Sequence, residues 1–342
     1  MRSMPGGIRV LMMGFLLVLP LVCMGQTETT LVVTGSSMPE PLYKAWAEEY
    51  HKQHPDVQVR YLAVGTSESA QDVLKGSGDF GGGEAPFPES ELNAGQNRIL
   101  QLPAVLVGIV VVYNLPQAPG ELKLTGRVLA DIYLGRIKEW RDPAIVKLNP
   151  GMNLPALPIQ LIHRTGGKGS NYILSGYLSK VSPDFLAVAG HSDSPKWPVG
   201  EAIPRAQDLH EKVAGTPGAI GYTELNLAAN ASLRVALIQN AAGEFVKPTK
   251  ASIADAVAGS NQKGANSKGS LRNAPGKGSY PISSYTWMYV PSVAKDPQRG
   301  RAVAEFLAWI YGDGQKVAEE LGYATLPHPV LAEAASKAAA VH

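Results

Sequence analysis

Ile159-Gln-Leu-Ile-His-Arg-Thr-Gly-Gly-Lys-Gly-Ser170-Asn-Tyr-Ile-Leu174 is the stretch that decides the fold. Ile159 to Ile162 reads as a strand ending at His163-Arg164, and Tyr172, Ile173, Leu174, Tyr177 and Leu178 then recur at helical spacing. Strand, glycine-rich turn and helix form the repeating unit of an open α/β sheet, and such sheets bind ligands at the strand ends. Glycines let the backbone approach a ligand closely, free N–H groups at a helix start point toward it, and Arg164 and Lys168 add full charges. That combination suits a small anion. A nucleotide triphosphate is excluded, because the Walker pattern needs Ser or Thr directly after Gly-Lys and Gly169 intervenes.

The same alternation extends on both sides. Thr30 to Val33 is a β-branched run, Gly35-Ser36-Ser37 a turn, and Leu42, Ala45, Trp46 and Tyr50 a helical face, with Ser37 as N-cap before Pro39. Val57 to Val64 is the next strand, Gly65-Thr66-Ser67 its turn, and Ser69 to Lys75 a helix closed by Gly76. Asp79 to Gly83 leads into the turn Glu84-Ala85-Pro86. A second unit starts near Pro103, with a buried-type strand at Leu106 to Tyr113 and a helix at Gly126 to Tyr133. Farther on, Gly218 to Tyr222 and Tyr280 to Pro291 read as strands and Ala302 to Tyr311 as a helix, while the alanine-rich tail from Glu333 is expected to fray.

The 342 residues carry 31 Lys+Arg against 29 Asp+Glu, which gives no basic footprint for nucleic acid, and 45% hydrophobic content excludes a disordered chain. Arg2 and Arg9 precede an uncharged apolar run, Val10 to Cys23, too short to span a bilayer. This is the pattern of a secretory signal over residues 1–25, and cleavage after Gly25 leaves 29 charges of each sign. Lipid attachment at Cys23, the single cysteine, ranks second because Val22 rather than a small residue precedes it.

Among the acids, Glu84 stands out because it ends a glycine run in a turn on the same sheet edge as Ser37 and Thr66. A carboxylate among anion donors repels the ligand unless the ligand has a proton to share. Inorganic phosphate near neutrality does, and sulfate does not. The nucleophile-elbow reading of Gly65-Thr-Ser-Glu-Ser69 is incomplete, and no histidine falls in triad or zinc spacing; a secreted serine hydrolase using Ser67 or Ser69 is therefore a remote alternative. The acid-free, Gly- and Ser-rich segment 259–279, with Lys263, Lys268, Arg272 and Lys277, reads as a solvated loop before it reads as a docking patch.

Taken in order, Thr34-Gly-Ser-Ser-Met-Pro39, Gly65-Thr-Ser67, Asp79-Phe-Gly-Gly-Gly-Glu-Ala-Pro86, His163-Arg-Thr-Gly-Gly-Lys-Gly-Ser170, Pro217-Gly-Ala-Ile-Gly-Tyr222 and Tyr280-Pro-Ile-Ser283 resemble the periplasmic phosphate-binding proteins of ABC-type phosphate uptake. Asp131-Ile-Tyr-Leu-Gly135 with Trp140, Leu148-Asn-Pro-Gly151 and Lys196-Trp-Pro-Val-Gly200 extend the likeness, which runs from about Thr30 to Pro327. The resemblance implies a two-domain periplasmic-binding-protein-like α/β fold with a hinged interdomain cleft. Residues 26–103 and 284–342 would form one domain and residues 104–283 the other. It implies a non-enzymatic, monomeric, periplasmic component that captures inorganic phosphate, delivers it to an ABC permease in the inner membrane, and needs no cofactor or metal. Carried over residue by residue, the ligand donors are Ser37, Met38, Thr66, Arg164, Lys168, Gly169 and Ser170, and Glu84 accepts the phosphate proton.

Three departures bear on the ligand. Glu84 stands where the family usually has Asp, Gly166 replaces an acid that commonly pairs with the arginine, and Lys168 replaces a serine. The last two shift the loop by about two positive charges, which is expected to tighten anion binding and relax selectivity. The Gly-Lys-Gly-Asn run that typically follows Trp-Pro-x-Gly is missing, with Glu201 to Ala206 in its place. Another tetrahedral oxyanion, sulfate or a phosphonate, is the alternative ligand.

Overall fold

The computed structural model describes residues 28–87, 89–92, 98–260 and 271–342. The segment read as a secretory signal, with Cys23, and Lys263 and Lys268 of the basic stretch lie outside the described residues. In chain order the first elements are β1 (Thr29–Gly35), α1 (Glu40–Gln53), β2 (Val57–Ala63), α2 (Thr66–Lys75), β3 (Phe80–Gly83), the single turn α3 (Glu89–Leu92) and β4 (Ile99–Tyr113). There follow β5 (Lys123–Leu124), α4 (Gly126–Tyr133), α5 (Pro143–Leu148), β6 (Gln160–Arg164), α6 (Gly169–Val181), α7 (Pro183–Val188), β7 (Glu201–Ile203) and α8 (Ala206–Gly215). The remainder is β8 (Ala219–Glu224), α9 (Leu225–Asn230), β9 (Arg234–Val235), β10 (Leu237–Gln239), β11 (Phe245–Val246), α10 (Lys250–Gly259), β12 (Ser283–Pro291), α11 (Pro297–Tyr311), α12 (Asp313–Glu320) and α13 (His328–Ala338).

The main sheet runs β2-β1-β3-β12-β4-β8-β6-β7, with β9 also on β4, and a small sheet joins β11, β10 and β5. β1 pairs in parallel with β2 and β3, as β6 does with β7 and β8, so each flank has the parallel, helix-crossed character expected from the sequence. Between the flanks lie the long antiparallel strands β4 and β12. β4 pairs with β12 as far as Gly108, opposite Ser283, and from Ile109 onward it pairs with β8. One strand thus serves both flanks, and its burial on both faces explains its almost unbroken apolar sequence.

Pro103 lies inside β4, where sequence alone suggests a boundary. Proline has no N–H to give a ladder, and it is tolerated here because the register slips: Trp287 faces Pro103 while Thr286 faces Val105, leaving Ala104 as the extra residue of a bulge. The two displaced carbonyls find side-chain donors. Tyr311 Oη donates to Pro103 O at 2.9 Å and Gln315 Nε2 to Ala104 O at 3.1 Å.

Two terminal expectations change. Ser37 does not cap α1; the N-cap is Pro39, without a side-chain cap, because the Ser36 hydroxyl already accepts Met38 N–H and turns the chain one residue earlier. The tail does not fray from Glu333, since α13 continues to Ala338 and buries Val330, Ala334 and Ala338.

At the far edge, Asp79 ties three elements. Its Oδ2 accepts Val32 N–H of β1 at 2.6 Å, and both oxygens accept the Arg299 guanidinium of α11 at 2.7 and 2.6 Å. The Asp79 side chain is 6% exposed and that of Arg299 31%, so the fork is only partly screened by solvent. Asp79→Ala is expected to destabilise the protein by about 3 kcal/mol, because it strands both a strand N–H and a half-buried guanidinium. Denaturant unfolding measures this, and an unchanged midpoint at unchanged slope would contradict the tie.

Candidate functional site

Three helices, α1, α2 and α6, start at strand ends on one side of the sheet, and none of them has a side-chain cap. An uncapped N-terminus leaves N–H groups free and a partial positive charge at the helix start. The sequence explains the uncapped ends: the N-cap positions are Pro39, Gly65 and Lys168, none of which has a side-chain acceptor.

Glu84 follows β3 in this region and is fully buried. Its placement depends on the glycine run before it. A Cβ on Gly83 would stand 2.6 Å from Thr66 Cγ2 and 2.8 Å from Tyr289 Oη, so only glycine lets the first turn of α2 lie against the strand end. Thr66 Oγ1 then donates to Glu84 Oε2 at 2.8 Å, while Oε1 is buried without a donor. Burial pushes the Glu84 carboxyl up from 4.5 to about 7; the Thr66 and Ser36 hydroxyls resist the rise, and Glu224 adds to it. On its other side the carboxylate abuts α6. A Cβ on Gly169 would come within 1.7 Å of Glu84 Oε2, so any larger residue there would drive the two halves of the site apart.

Arg164, at the end of β6, is 7% exposed. Its Nη2 donates to Pro204 O at 3.0 Å, and Nε is buried with no acceptor. Its backbone N–H donates to Tyr222 Oη, which donates to Asn171 Oδ1, and the Asn171 amide returns to Thr165 O at 2.8 Å and Asp193 O at 3.0 Å. The loop between β6 and α6 is therefore held by side chains together with backbone bonds from Thr165 N–H to Ile203 O and from Lys168 N–H to Asp193 O.

A cavity of about 370 Å³ opens beside these groups. Of the residues singled out from the sequence, Ser37, Met38, Arg164, Lys168, Gly169 and Ser170 line it; Glu84 does not line it but lies directly behind Gly169, and Thr66 is bonded to Glu84. Ser37 is exposed, whereas Ser36, not singled out, is 2% exposed and faces Glu84. Lys168 is partly buried on the cavity wall; burial, then the charge of Arg164, holds its ammonium below the usual value. Two further lining residues, Arg205 and Glu224, also escaped the sequence reading. Glu224 could have been noticed as the acid that ends the glycine-bounded strand at Gly218, just as Glu84 ends β3.

The elbow serines are otherwise engaged. Ser69 Oγ donates to Thr34 O at 2.8 Å and accepts Gly82 N–H, and Ser67 Oγ donates to Asp193 Oδ2 at 2.5 Å. Among the described residues no group of three or more His, Cys, Asp or Glu side chains could hold a metal ion.

A family model described as the PBP superfamily domain matches residues 24–314. The phosphate-binding protein PstS of Pasteurella multocida is 38% identical over 304 residues, 88% of each chain. The PstS of Methanocaldococcus jannaschii is 32% identical, over 94% of this chain and 93% of its own. The chain belongs to the PstS family of the PBP superfamily. Solved structures agree at the level of fold. A phosphate-binding protein from Stenotrophomonas maltophilia superposes with a TM-score of 0.66 at 18% identity, over 90% of this chain and 93% of the other. For an ABC-type phosphate transport receptor from Vibrio cholerae the values are 0.61 and 19%, over 87% and 100%. The architecture is the two-domain periplasmic-binding-protein fold.

Within this PstS-family frame the loop departures have structural answers. The place of a side chain at Gly166 is taken by Ser194, whose Oγ would lie 2.9 Å from a Cβ there and instead accepts Gly167 N–H at 2.8 Å. The neighbouring Asp193 brings a carboxylate back to the loop from another segment, so the charge shift expected from Gly166 and Lys168 is partly cancelled. Residues 201–203 form β7, and Pro204 directly after it presents its carbonyl to Arg164.

The Glu84 titration sets a pH signature. The folded protein keeps a proton between pH 4.5 and about 7 that the unfolded chain has released, so this group's stabilising effect is full below 4.5 and lost as pH rises through 7. The spread corresponds to about 3 kcal/mol by linkage. In ligand-free protein, Glu84→Gln is expected to raise the melting temperature by several degrees at pH 8 and to change it little near pH 4.5. Equal shifts at both pH values would show that Glu84 is not the buried acid responsible.

Proposed function

We propose that this chain is a solute-binding protein that captures inorganic phosphate in the cleft and hands it to an ABC permease in the inner membrane. The observation that carries this reading is a complementary pair of unanswered atoms: Glu84 Oε1, a buried acceptor without a donor, and Arg164 Nε, a buried donor without an acceptor. Either atom left unmet costs about 1–3 kcal/mol or more. A protonated phosphate answers both, since one molecule supplies acceptor oxygens to the arginine and a P–O–H to the carboxylate. Above about pH 7, where Glu84 is ionised, sulfate answers only the arginine and sets an unprotonated oxygen against the carboxylate. The naming of relatives such as the Pasteurella multocida protein for phosphate supports the same assignment.

In this reading Ser37, Met38, Thr66, Arg164, Lys168, Gly169 and Ser170 are the donors and Glu84 is the acceptor. Residues 26–103 with 284–342 form one domain and residues 104–283 the other, with the change of partner along β4 at Gly108 serving as a crossing. The protein acts as a periplasmic monomer after removal of residues 1–25, and it performs no catalysis.

At pH 8, where Glu84 is ionised, phosphate is expected to raise the melting temperature far more than the same concentration of sulfate, because stabilisation follows the ratio of free ligand to Kd. Equal shifts would overturn the assignment. Arg164→Met is expected to lower phosphate affinity at least a hundredfold, since a charge-assisted buried contact contributes roughly 3 kcal/mol or more. A change below fivefold in calorimetric titration would remove Arg164 from the site.

A further inference from the structure

Glu224 closes β8 and is 4% exposed, yet no structural duty accounts for its burial. It occupies the N-cap position of α9, but its carboxylate accepts none of that helix's N–H groups. Among the described residues it forms no ion pair within 4 Å, although it lines the same cavity as Arg164 and Lys168. Its one hydrogen bond comes from behind. Thr223 Oγ1 donates to Glu224 Oε2 at 2.9 Å, and His210 Nε2 lies 2.8 Å from Thr223 Oγ1. A hydroxyl that gives its single proton to the carboxylate must accept from the histidine, so the relay fixes Oε2 and orients the carboxylate. Burial holds the His210 imidazole below its usual value, so the relay adds no cation.

The charges that face Glu224 can be paired off. Arg205 is forked onto Asp208, and Glu40 is bonded to Lys44. Glu211, beyond His210, is hydrogen-bonded by Gln207. The Tyr222 and Tyr323 phenols are pushed up by burial and stay neutral. What remains among the described residues is two carboxylates, Glu224 on the cavity and Glu84 directly behind its lining residue Gly169, against two cations, Arg164 and Lys168. Each carboxylate needs a donated proton to accept an anion as a neighbour. Monohydrogen phosphate has one O–H to offer, and dihydrogen phosphate has two.

We propose that Glu224 is a second proton-accepting carboxylate of the anion site, so that the protein binds phosphate in its dihydrogen form. The inference rests on the phosphate reading above and adds a specificity residue to it. No bond is made or broken. Above neutrality, monohydrogen phosphate takes one proton from solvent as it enters, and its two O–H groups then donate to Glu84 and Glu224.

Calorimetric titration with inorganic phosphate, in buffers of different ionisation heat, tests this. At pH 8.5 the parent protein is expected to take up about one proton per phosphate, and its affinity to fall about tenfold per pH unit above neutrality. Glu224→Gln, whose amide can donate to monohydrogen phosphate, should reduce the uptake toward zero and flatten the profile while still binding phosphate. Unchanged uptake and slope in E224Q overturn the inference and leave the phosphate reading standing. Should E224Q fail to fold, the parent protein decides alone, since zero uptake at pH 8.5 means that a single acceptor suffices. No phosphate binding at any pH by the folded parent would instead overturn the phosphate reading itself, and this inference with it.

Discussion

A carboxylate is buried where a strand end meets a helix start, and the site is arranged around that placement. Glu84 loses its solvation, receives one hydroxyl from Thr66 and keeps one oxygen unmet. An isolated buried carboxylate responds by holding its proton, as the rise to about 7 reflects. The position is tolerable for two reasons. Near neutrality the group can be neutral, and the adjacent N-termini of α1, α2 and α6 supply positive potential without a side-chain cation in contact with it. Gly83 lets α2 lie against the strand end, and Gly169 lets the two halves of the fold come this close. Alanine at Gly169 would strike the carboxylate itself, so that glycine secures the geometry on which the acid acts.

Arg164 on the opposite wall is restrained by a different logic. One nitrogen is bonded to Pro204, the backbone runs through Tyr222 and Asn171 to the loop, and Nε is left over. A guanidinium held by a single carbonyl keeps most of its donors for a ligand, whereas an ion pair to a loop acid would consume them. Gly166 removes such an acid from the loop, and Asp193 brings one to the periphery, where it accepts the hydroxyls of Ser67 and Ser194 instead of the arginine. The Ser67 contact also joins α2 to the segment before β7, a link between the two flanks of the sheet outside the cavity.

The sheet and its helices were legible because periodicity carries them: β-branched runs switch to helical spacing across short glycine turns, at β1–α1, β2–α2 and β6–α6 alike. Glu84, Arg164 and the glycine loop were legible because their chemistry is unusual in a turn. The rest depended on distances that spacing does not encode. Pro103 suggested a boundary, but a bulge at Ala104 with side-chain donors from Tyr311 and Gln315 absorbs it. Ser36 and Ser37 cannot be ranked from sequence, because which hydroxyl turns inward depends on Ser36 accepting Met38 N–H. Glu224 was hidden for a similar reason. Its role depends on a cavity shared between distant segments, and its strand end looks like an ordinary sheet terminus.

Charge balance takes on a different meaning at this scale. Over the whole chain, the near equality of acids and bases describes solubility and says little about a site, since exposed charges beyond a Debye length are screened. Around the cavity the few unpaired charges act at short range, so their count matters. Two cations with no acid would hold many anions of the right size and distinguish poorly among them. Two cations with two buried acids hold an anion only if it brings protons as well as negative oxygens. In the proposed reading, selectivity comes from groups that repel the wrong ligand, and burial makes that repulsion large enough to matter.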